Sequence, residues 1–319
     1  MKRLLITALL ALACAAGANA QTWPTKAIHV IVPFPPGSSP DLVARMLTDK
    51  LAPALGQPVV VENKPGAGGN IGTGIVAKAE PDGYTLGLSI PGPLAVNTVL
   101  YKKMEYDPFT ELTPITLVAV SPNVLIVNPG LGVYSVQEFV AYVAARPGKL
   151  NYGSIGNGSA SHLTMELLKM QAGIDILHVP YPGSPQVNTA ILANQIQAGF
   201  VVPGTAMPLV QSGRVKALAV TSSAKSPVLP ELPTIAEVFP GFESSAWIGM
   251  VAPAKTPKTI IDRLNHELVA IIHSAEVREK MLRIYFQAIG TAPESLSSLM
   301  RSERDRWAKV IKQTGASAD

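Results

Sequence analysis

Between Ala27 and Val220, short apolar runs rich in Val and Ile alternate with longer stretches whose apolar positions recur at helical spacing. That alternation is the pattern of βα units feeding largely parallel sheets, so the fold class is α/β. The runs predict strands over 28–32, 59–62, 85–90, 124–127, 150–153, 176–179, 197–202 and 215–220. Helix starts are legible between and after them. Ser135 followed by Glu138, and Thr291 followed by Glu294, have capping-box spacing, and Pro257 after Thr256 reads as a first-turn proline. Ile260, Ile261, Leu264, Leu268 and Ile271 then share one helix face on the way to His273, a stripe that belongs to a core. After Val220 the order changes to a Ser/Pro-rich loop over 221–233, a strand near 246–252 and mostly helix to the end. The economical arrangement is a chain that crosses into a second domain near Ser121 and returns near Gly241. Domain 1 then comprises 21–121 and 242–319, and domain 2 comprises 122–241.

The start of the chain has a different character. Lys2 and Arg3, an apolar stretch over 4–16 and Ala18-Asn19-Ala20 have the layout of a cleavable secretory leader, with the mature chain starting at Gln21 in the periplasm. A membrane span needs about 20 apolar residues, more than this stretch offers. The rest of the 319-residue chain is long enough for two domains of about 150 residues each. The single cysteine, Cys14, lies in the leader, which excludes disulfides, thiolate catalysis and Cys-ligated metal from the mature chain. Without Lys2 and Arg3, the 26 basic residues exceed the 22 acidic ones by only two. The most charged stretch, 301–312, mixes both signs, and no basic cluster interleaved with aromatics occurs, so nucleic acid is excluded as a partner.

In open α/β sheets, ligands bind beyond the carboxyl ends of strands, where helix N-termini expose unpaired N–H groups. Two segments fit: 33–41, between the first strand and the helix carrying Leu42, Val43, Met46 and Leu47, and 153–162, before the helix holding Leu163, Leu167 and Leu168. Neither contains Lys or Arg. A carboxylate can still be held there, because backbone N–H groups and the helix dipole favour an anion. Charge-assisted hydrogen bonds contribute roughly 1.5–3 kcal/mol each, and micromolar binding needs about 8 kcal/mol net, so several bonds from two closing lobes suffice. The plainer account of the same residues has Ser39 as an N-cap before Pro40, Asp41 as a first-turn charge and the glycines in ordinary turns.

Enzymatic patterns fail on inspection. Gly72-x-Gly74-x-x-Ala77 lies within a predicted helix and lacks the acidic residue about 20 positions on that dinucleotide binding requires, so it reads as helix packing. Ser154 and Ser159 stand outside any G-x-S-x-G elbow, and capping explains Ser159 and His162 better than a hydrolase pair does. His266 and His273 lack a third convergent ligand. Hence no catalytic residue, no metal and no cofactor are expected.

Several stretches carry a family resemblance: 32–37 (VPFPPG), 59–72 (VVVENKPGAGGNIG), 81–86 (PDGYTL), 147–154 (PGKLNYGS), 156–159 (GNGS), 178–181 (HVPY) and 217–222 (ALAVTS). In this order they resemble the tripartite tricarboxylate transporter substrate-binding proteins, also called the Bug family, over essentially the whole mature chain. The resemblance implies a type II periplasmic-binding-protein-like fold, two α/β domains closing on a small-molecule carboxylate in the cleft between them. It also implies a monomer that delivers its cargo to the membrane subunits of a tripartite tricarboxylate transporter; a sensor feeding a membrane signalling protein is the alternative. By the same resemblance, Phe34, Pro36, Gly37, Ser38 and Ser39 form one lip of the cleft, and Ser154, Asn157, Gly158 and Ser159 the other, with Ser89 and Pro91 beside them. The chain departs from the family at Ser38, Pro40 and Pro91-Gly92-Pro93, and at Val201 and Val202, which stand where Asp-Asn is frequent. If both valines face the ligand, they favour an aromatic carboxylate such as a benzoate or terephthalate over an amino acid; an aliphatic di- or tricarboxylate is the other candidate. Otherwise they complete a buried strand.

Overall fold

In chain order the strands are β1 (Ile28–Val32), β2 (Val59–Asn63), β3 (Thr85–Ser89), β4 (Leu112–Pro122), β5 (Val124–Val127), β6 (Asn151–Ser154), β7 (Leu177–Pro180), β8 (Ala198–Val201), β9 (Lys216–Val220), β10 (Ser245–Pro253) and β11 (Gln287–Ala288). The main helices are α1 (Ser39–Leu55), α2 (Asn70–Ala77), α3 (Asn97–Leu100), α4 (Val136–Ala144), α5 (Ala160–Ala172), α6 (Ser184–Leu192), α7 (Pro203–Gln211), α8 (Lys258–His273), α9 (Ala275–Arg283) and α10 (Pro293–Thr314). These come from a computed structural model that describes residues 23–156, 159–181 and 183–318. The leader, its cleavage site and Cys14 therefore lie outside the described residues, as do Asn157 and Gly158.

Two sheets carry the fold, a six-stranded one in the order β11-β4-β10-β3-β1-β2 and a five-stranded one in the order β7-β6-β8-β5-β9. In the first, β1 runs parallel to β2 and β3, while β10 enters antiparallel between β3 and β4. In the second, β6 runs parallel to β7 and β8, while β5 enters antiparallel between β8 and β9. Each of the parallel strands is followed by a helix, as the alternation predicts. Their carboxyl ends open onto the starts of α1, α5, α6 and α7, and proline in the first turn of α1, α6 and α7 stands where a missing N–H costs nothing.

The β-branched runs fill the interior because they meet helix stripes. Val30, Leu88 and Met250 pack with Leu47, Leu51, Leu264 and Leu268 in one core, and Phe139, Tyr152, Leu168 and Phe200 form another. The long α10 belongs to both halves: Leu296 and Met300 pack with Val251, whereas Trp307, Val310 and Ile311 join the core around Phe139 and Phe200. The stripe on α8 is buried through Ile261, Leu264, Leu268 and Ile272. Gly72 sits in α2 where a Cβ would stand 2.6 Å from the Lys64 carbonyl oxygen and 2.8 Å from the Pro33 Cα, the tight helix packing expected there.

Two expectations fail. Thr291 does not cap α10, which starts after Ala292. Its hydroxyl instead accepts the Leu117 N–H at 3.2 Å while its N–H binds the Thr116 hydroxyl at 2.8 Å, so β4 has recruited it. Pro257 stands at the cap of α8 rather than within its first turn.

The chain leaves the first sheet at Pro122 and enters the second at Val124, and it returns between Val220 and Ser245. Asn123, Thr221 and Ser244 lace these passages together. The Asn123 N–H donates to the Thr221 hydroxyl at 2.8 Å, Thr221 N–H to the Asn123 carbonyl at 3.0 Å, and Ser244 N–H to the Thr221 carbonyl at 3.0 Å. The Thr221 hydroxyl donates in turn to the Ser244 carbonyl.

Candidate ligand cleft

On the first sheet, the loop after β1 turns at Gly37, whose φ of +80° favours glycine. Ser38, not Ser39, is the residue at the cap of α1: its carbonyl accepts from Leu42 N–H at 3.0 Å, and its hydroxyl is buried without a partner. Ser39 is already helical. The loop is pinned from below by Asp41, which is 2% exposed. Its carboxylate accepts the Gly37 N–H at 2.9 Å, the Asn63 amide at 2.9 Å and the Arg45 guanidinium at 3.1 and 2.9 Å. Asn63 also donates to the Phe34 carbonyl at 2.9 Å. Burial works to raise the pKa of Asp41, but the hydrogen bonds from Arg45, Gly37 and Asn63 outweigh it and hold the carboxyl below its ordinary value. Asp41 is therefore far more than a first-turn charge.

Phe34, Gly69 and Pro93 come together beside this loop. A Cβ on Gly69 would stand 2.9 Å from Phe34 Cζ and 3.0 Å from Pro93 Cγ. Pro36 and Gly37 are exposed, and Phe34, Ser38 and Ser39 are half-buried. Ser89 lies deeper, its hydroxyl 3.0 Å from that of Thr73, and Pro91 is buried at the start of the turn leading to α3.

On the second sheet, the loop after β6 is knitted by hydroxyls. Ser159 caps α5, accepting the His162 N–H at 3.3 Å, and donates to the Gly156 carbonyl at 2.7 Å. Ser161 accepts the Ile155 N–H at 3.0 Å. Ser154 is fully buried, with its hydroxyl 2.6 Å from His178 Nε2. The His178 ring stacks on His162 at 4.0 Å and on Tyr152 at 4.9 Å, and Tyr152 donates to Glu166 at 2.7 Å.

The valines separate. Val201 is 2% exposed and packs with Val124, Val187 and Ile191, so it completes a buried strand. Val202 is half-buried at the cap of α7. Asp41, Asn63 and His178 escaped the sequence reasoning because their partners are set by sheet register: Asn63 reaches Asp41 from the end of the neighbouring β2, and Tyr152 faces His178 across the β6/β7 pair.

What this geometry offers is a set of helix N-termini and small hydroxyls at the carboxyl ends of parallel strands, without a Lys or Arg in either loop. Such sites hold anions through N–H groups and dipoles. Among the described residues, no group of three or more His, Cys, Asp or Glu could hold a metal ion, and no helix is long and apolar enough to cross a membrane. A separate cavity of about 320 Å³ lies at the crossover, lined by Val120, Ser222, Trp247 and Arg306 among others, and includes none of the loop residues.

Residues 43–316 match the family model described as "Tripartite tricarboxylate transporter family receptor". The chain is 38% identical over 304 residues to Protein BugT of Bordetella pertussis, covering 95% of this chain and 93% of that protein. Among solved structures it is similar to R. palustris Rpa4515 with adipate, with a TM-score of 0.84, 36% identity and coverage of 92% and 99%. It is also similar to MatC (Rpa3494) from Rhodopseudomonas palustris with bound malate, with a TM-score of 0.79, 32% identity and coverage of 91% and 100%.

Proposed function

The chain belongs to the tripartite tricarboxylate transporter receptor family, a family of solute-binding proteins and not of enzymes, and on that premise we propose that it captures an aliphatic dicarboxylate in the periplasm for membrane transport subunits. One observation carries this reading most strongly: each sheet presents a hydroxyl-rich, cation-free loop that leads directly into a helix N-terminus, Ser38 at α1 and Ser159 at α5. Two such loops supply N–H and O–H donors for the two ends of a dicarboxylate. Adipate and malate in the similar receptors are ligands of this kind. The burial of Val201 in the core removes half of the apolar wall that would favour an aromatic acid.

On this reading residues 21–121 with 242–319 form one lobe and 122–241 the other, and the Asn123–Thr221–Ser244 lacing is the hinge. Phe34, Pro36, Gly37, Ser38 and Ser39 line one lip, Ser154 to Ser159 the other, with Ser89 and Pro91 supporting the first. The leader is cleaved after Ala20. A ligand that closes the lobes stabilises the fold by mass action, so ligand at about 1,000 times Kd adds roughly 4 kcal/mol. The test is a thermal-shift screen of residues 21–319 against adipate, malate, citrate, glutamate, benzoate and terephthalate, with calorimetry on hits. Selective shifts by aliphatic dicarboxylates are expected. A response confined to the aromatic acids overturns the ligand class, and silence from every carboxylate overturns the receptor reading itself.

A further inference from the structure

Beneath the second loop lies an arrangement that the capture of a carboxylate does not by itself require. The buried Ser154 hydroxyl is 2.6 Å from His178 Nε2 and 3.0 Å from the Gly156 carbonyl oxygen, and it accepts the Gly156 N–H at 3.1 Å. A hydroxyl has one proton to give. The Gly156 carbonyl already accepts from the Ser159 hydroxyl at 2.7 Å and the Ser159 N–H at 3.2 Å, which occupies both of its lone pairs. The Ser154 proton has two acceptors in reach, the Gly156 carbonyl at 3.0 Å and His178 Nε2 at 2.6 Å, and the shorter contact to the less crowded acceptor favours His178. With the proton there, Nε2 is bare and the imidazole is neutral with its proton on Nδ1.

The surroundings keep it so. Burial pushes the His178 pKa down, the neighbouring His162 ring pushes it further, and it settles at about 4 although Glu166 works in the opposite direction. Lys169 adds to the depression. Glu166 is itself held by the Tyr152 hydroxyl at 2.7 Å and by Lys169 at 2.8 Å. The groups facing the ring are thus His162, Glu166 and Lys169 from α5 and Tyr152 from β6. The far end of the same unit is tied as well, since the Ser154 carbonyl accepts the Tyr181 N–H at 2.8 Å.

We propose that His178 is a positioning residue of the receptor: by taking the Ser154 proton it holds Ser154 and Gly156 in place and so aims the Ser159 end of α5, which is bonded to Gly156, at the ligand. The role rests on the receptor reading above. It acts through Ser154 and demands an acceptor at Nε2, not merely a ring that fills space. Because the folded-state pKa of His178 is depressed, the arrangement is fully present above the ordinary histidine pKa and is lost as pH falls through about 4.

The experiment compares mature parent protein, His178→Phe and His178→Gln for adipate binding by calorimetry, and reads imidazole ¹⁵N resonances of the ligand-free parent. Phe keeps the stacking and removes the acceptor; Gln keeps an acceptor. His178→Phe should weaken adipate about tenfold, and His178→Gln by no more than about threefold. The ratio of parent to His178→Gln affinity, in which protonation of adipate itself cancels, should hold from neutral pH to about pH 5 and fall below it. Equal losses in the two variants, or none in either, overturn the role. So does a protonated Nε2 in the ¹⁵N spectrum, whether or not any ligand binds. If the parent ignores every carboxylate, the receptor reading fails and the role falls with it, while the spectrum still judges the Ser154 hydrogen bond separately.

Discussion

The replacement Asp41→Ala tests the account of the first lip. The side chain is 3% exposed, and its donors approach from the loop, from α1 and from β2. Arg45 is 50% exposed, so its share is screened by solvent and counts for little. The bonds from Gly37 N–H and the Asn63 amide are partly buried on the buried carboxylate, and at roughly 1.5 kcal/mol each they amount to about 3 kcal/mol. Urea unfolding of the mature protein should show that deficit at neutral pH. Asp41→Asn, which keeps one acceptor oxygen, should lose about half as much. The acid limb supplies an independent check. A carboxyl whose folded-state pKa is depressed contributes stability above its unfolded pKa, and that contribution disappears as pH falls through the lower folded value. The gap between parent and Asp41→Ala should therefore be full at neutral pH and narrow in strong acid. A deficit under about 1 kcal/mol, or one independent of pH, would refute the assignment of Asp41 as the pin beneath Gly37.

Two further outcomes follow from packing and from the crossover. Gly72→Ala should cost about 1–3 kcal/mol in the same assay, because the new methyl meets backbone at 2.6 and 2.8 Å and neither neighbour can rotate away; a neutral result would mean that α2 shifts freely. Thr221→Val should cost about 1–3 kcal/mol by leaving the buried Asn123 N–H without its acceptor, whereas Thr221→Ser should stay near the parent; equal losses would point to the methyl group instead.

Much of this molecule is written locally. The runs at 28–32 and 124–127 are strands at those positions because β-branched residues between turn signals have few other options, and Ser135 accepts the Glu138 N–H at 3.1 Å as its spacing predicts. What escaped the sequence was decided by partners far along the chain. The 11-residue β4 carries Pro114 and runs almost directly into β5, so neither a clean alternation nor a turn announces it. Its proline is tolerated because β11 pairs only with Ala119 and Val120, which leaves Pro114 on an uncovered edge. Thr291 has the composition of a cap, yet β4 offers its hydroxyl a better use. In the candidate cleft, Gly37 and the capping Ser159 were legible from loop chemistry, whereas the first cap fell on Ser38, one residue before the expected Ser39. Asp41 and His178 were not, because a carboxylate or an imidazole gains its meaning from the neighbouring strand.

The placement of β10 and α10 bears on how the polypeptide folds. The first sheet is complete only with residues 245–253 between β3 and β4, and the core around Phe139 and Phe200 only with Trp307, Val310 and Ile311 from the later turns of α10. Each half is therefore completed by a segment far along the chain from the elements it joins, so its closing contacts are among the most non-local that folding has to assemble.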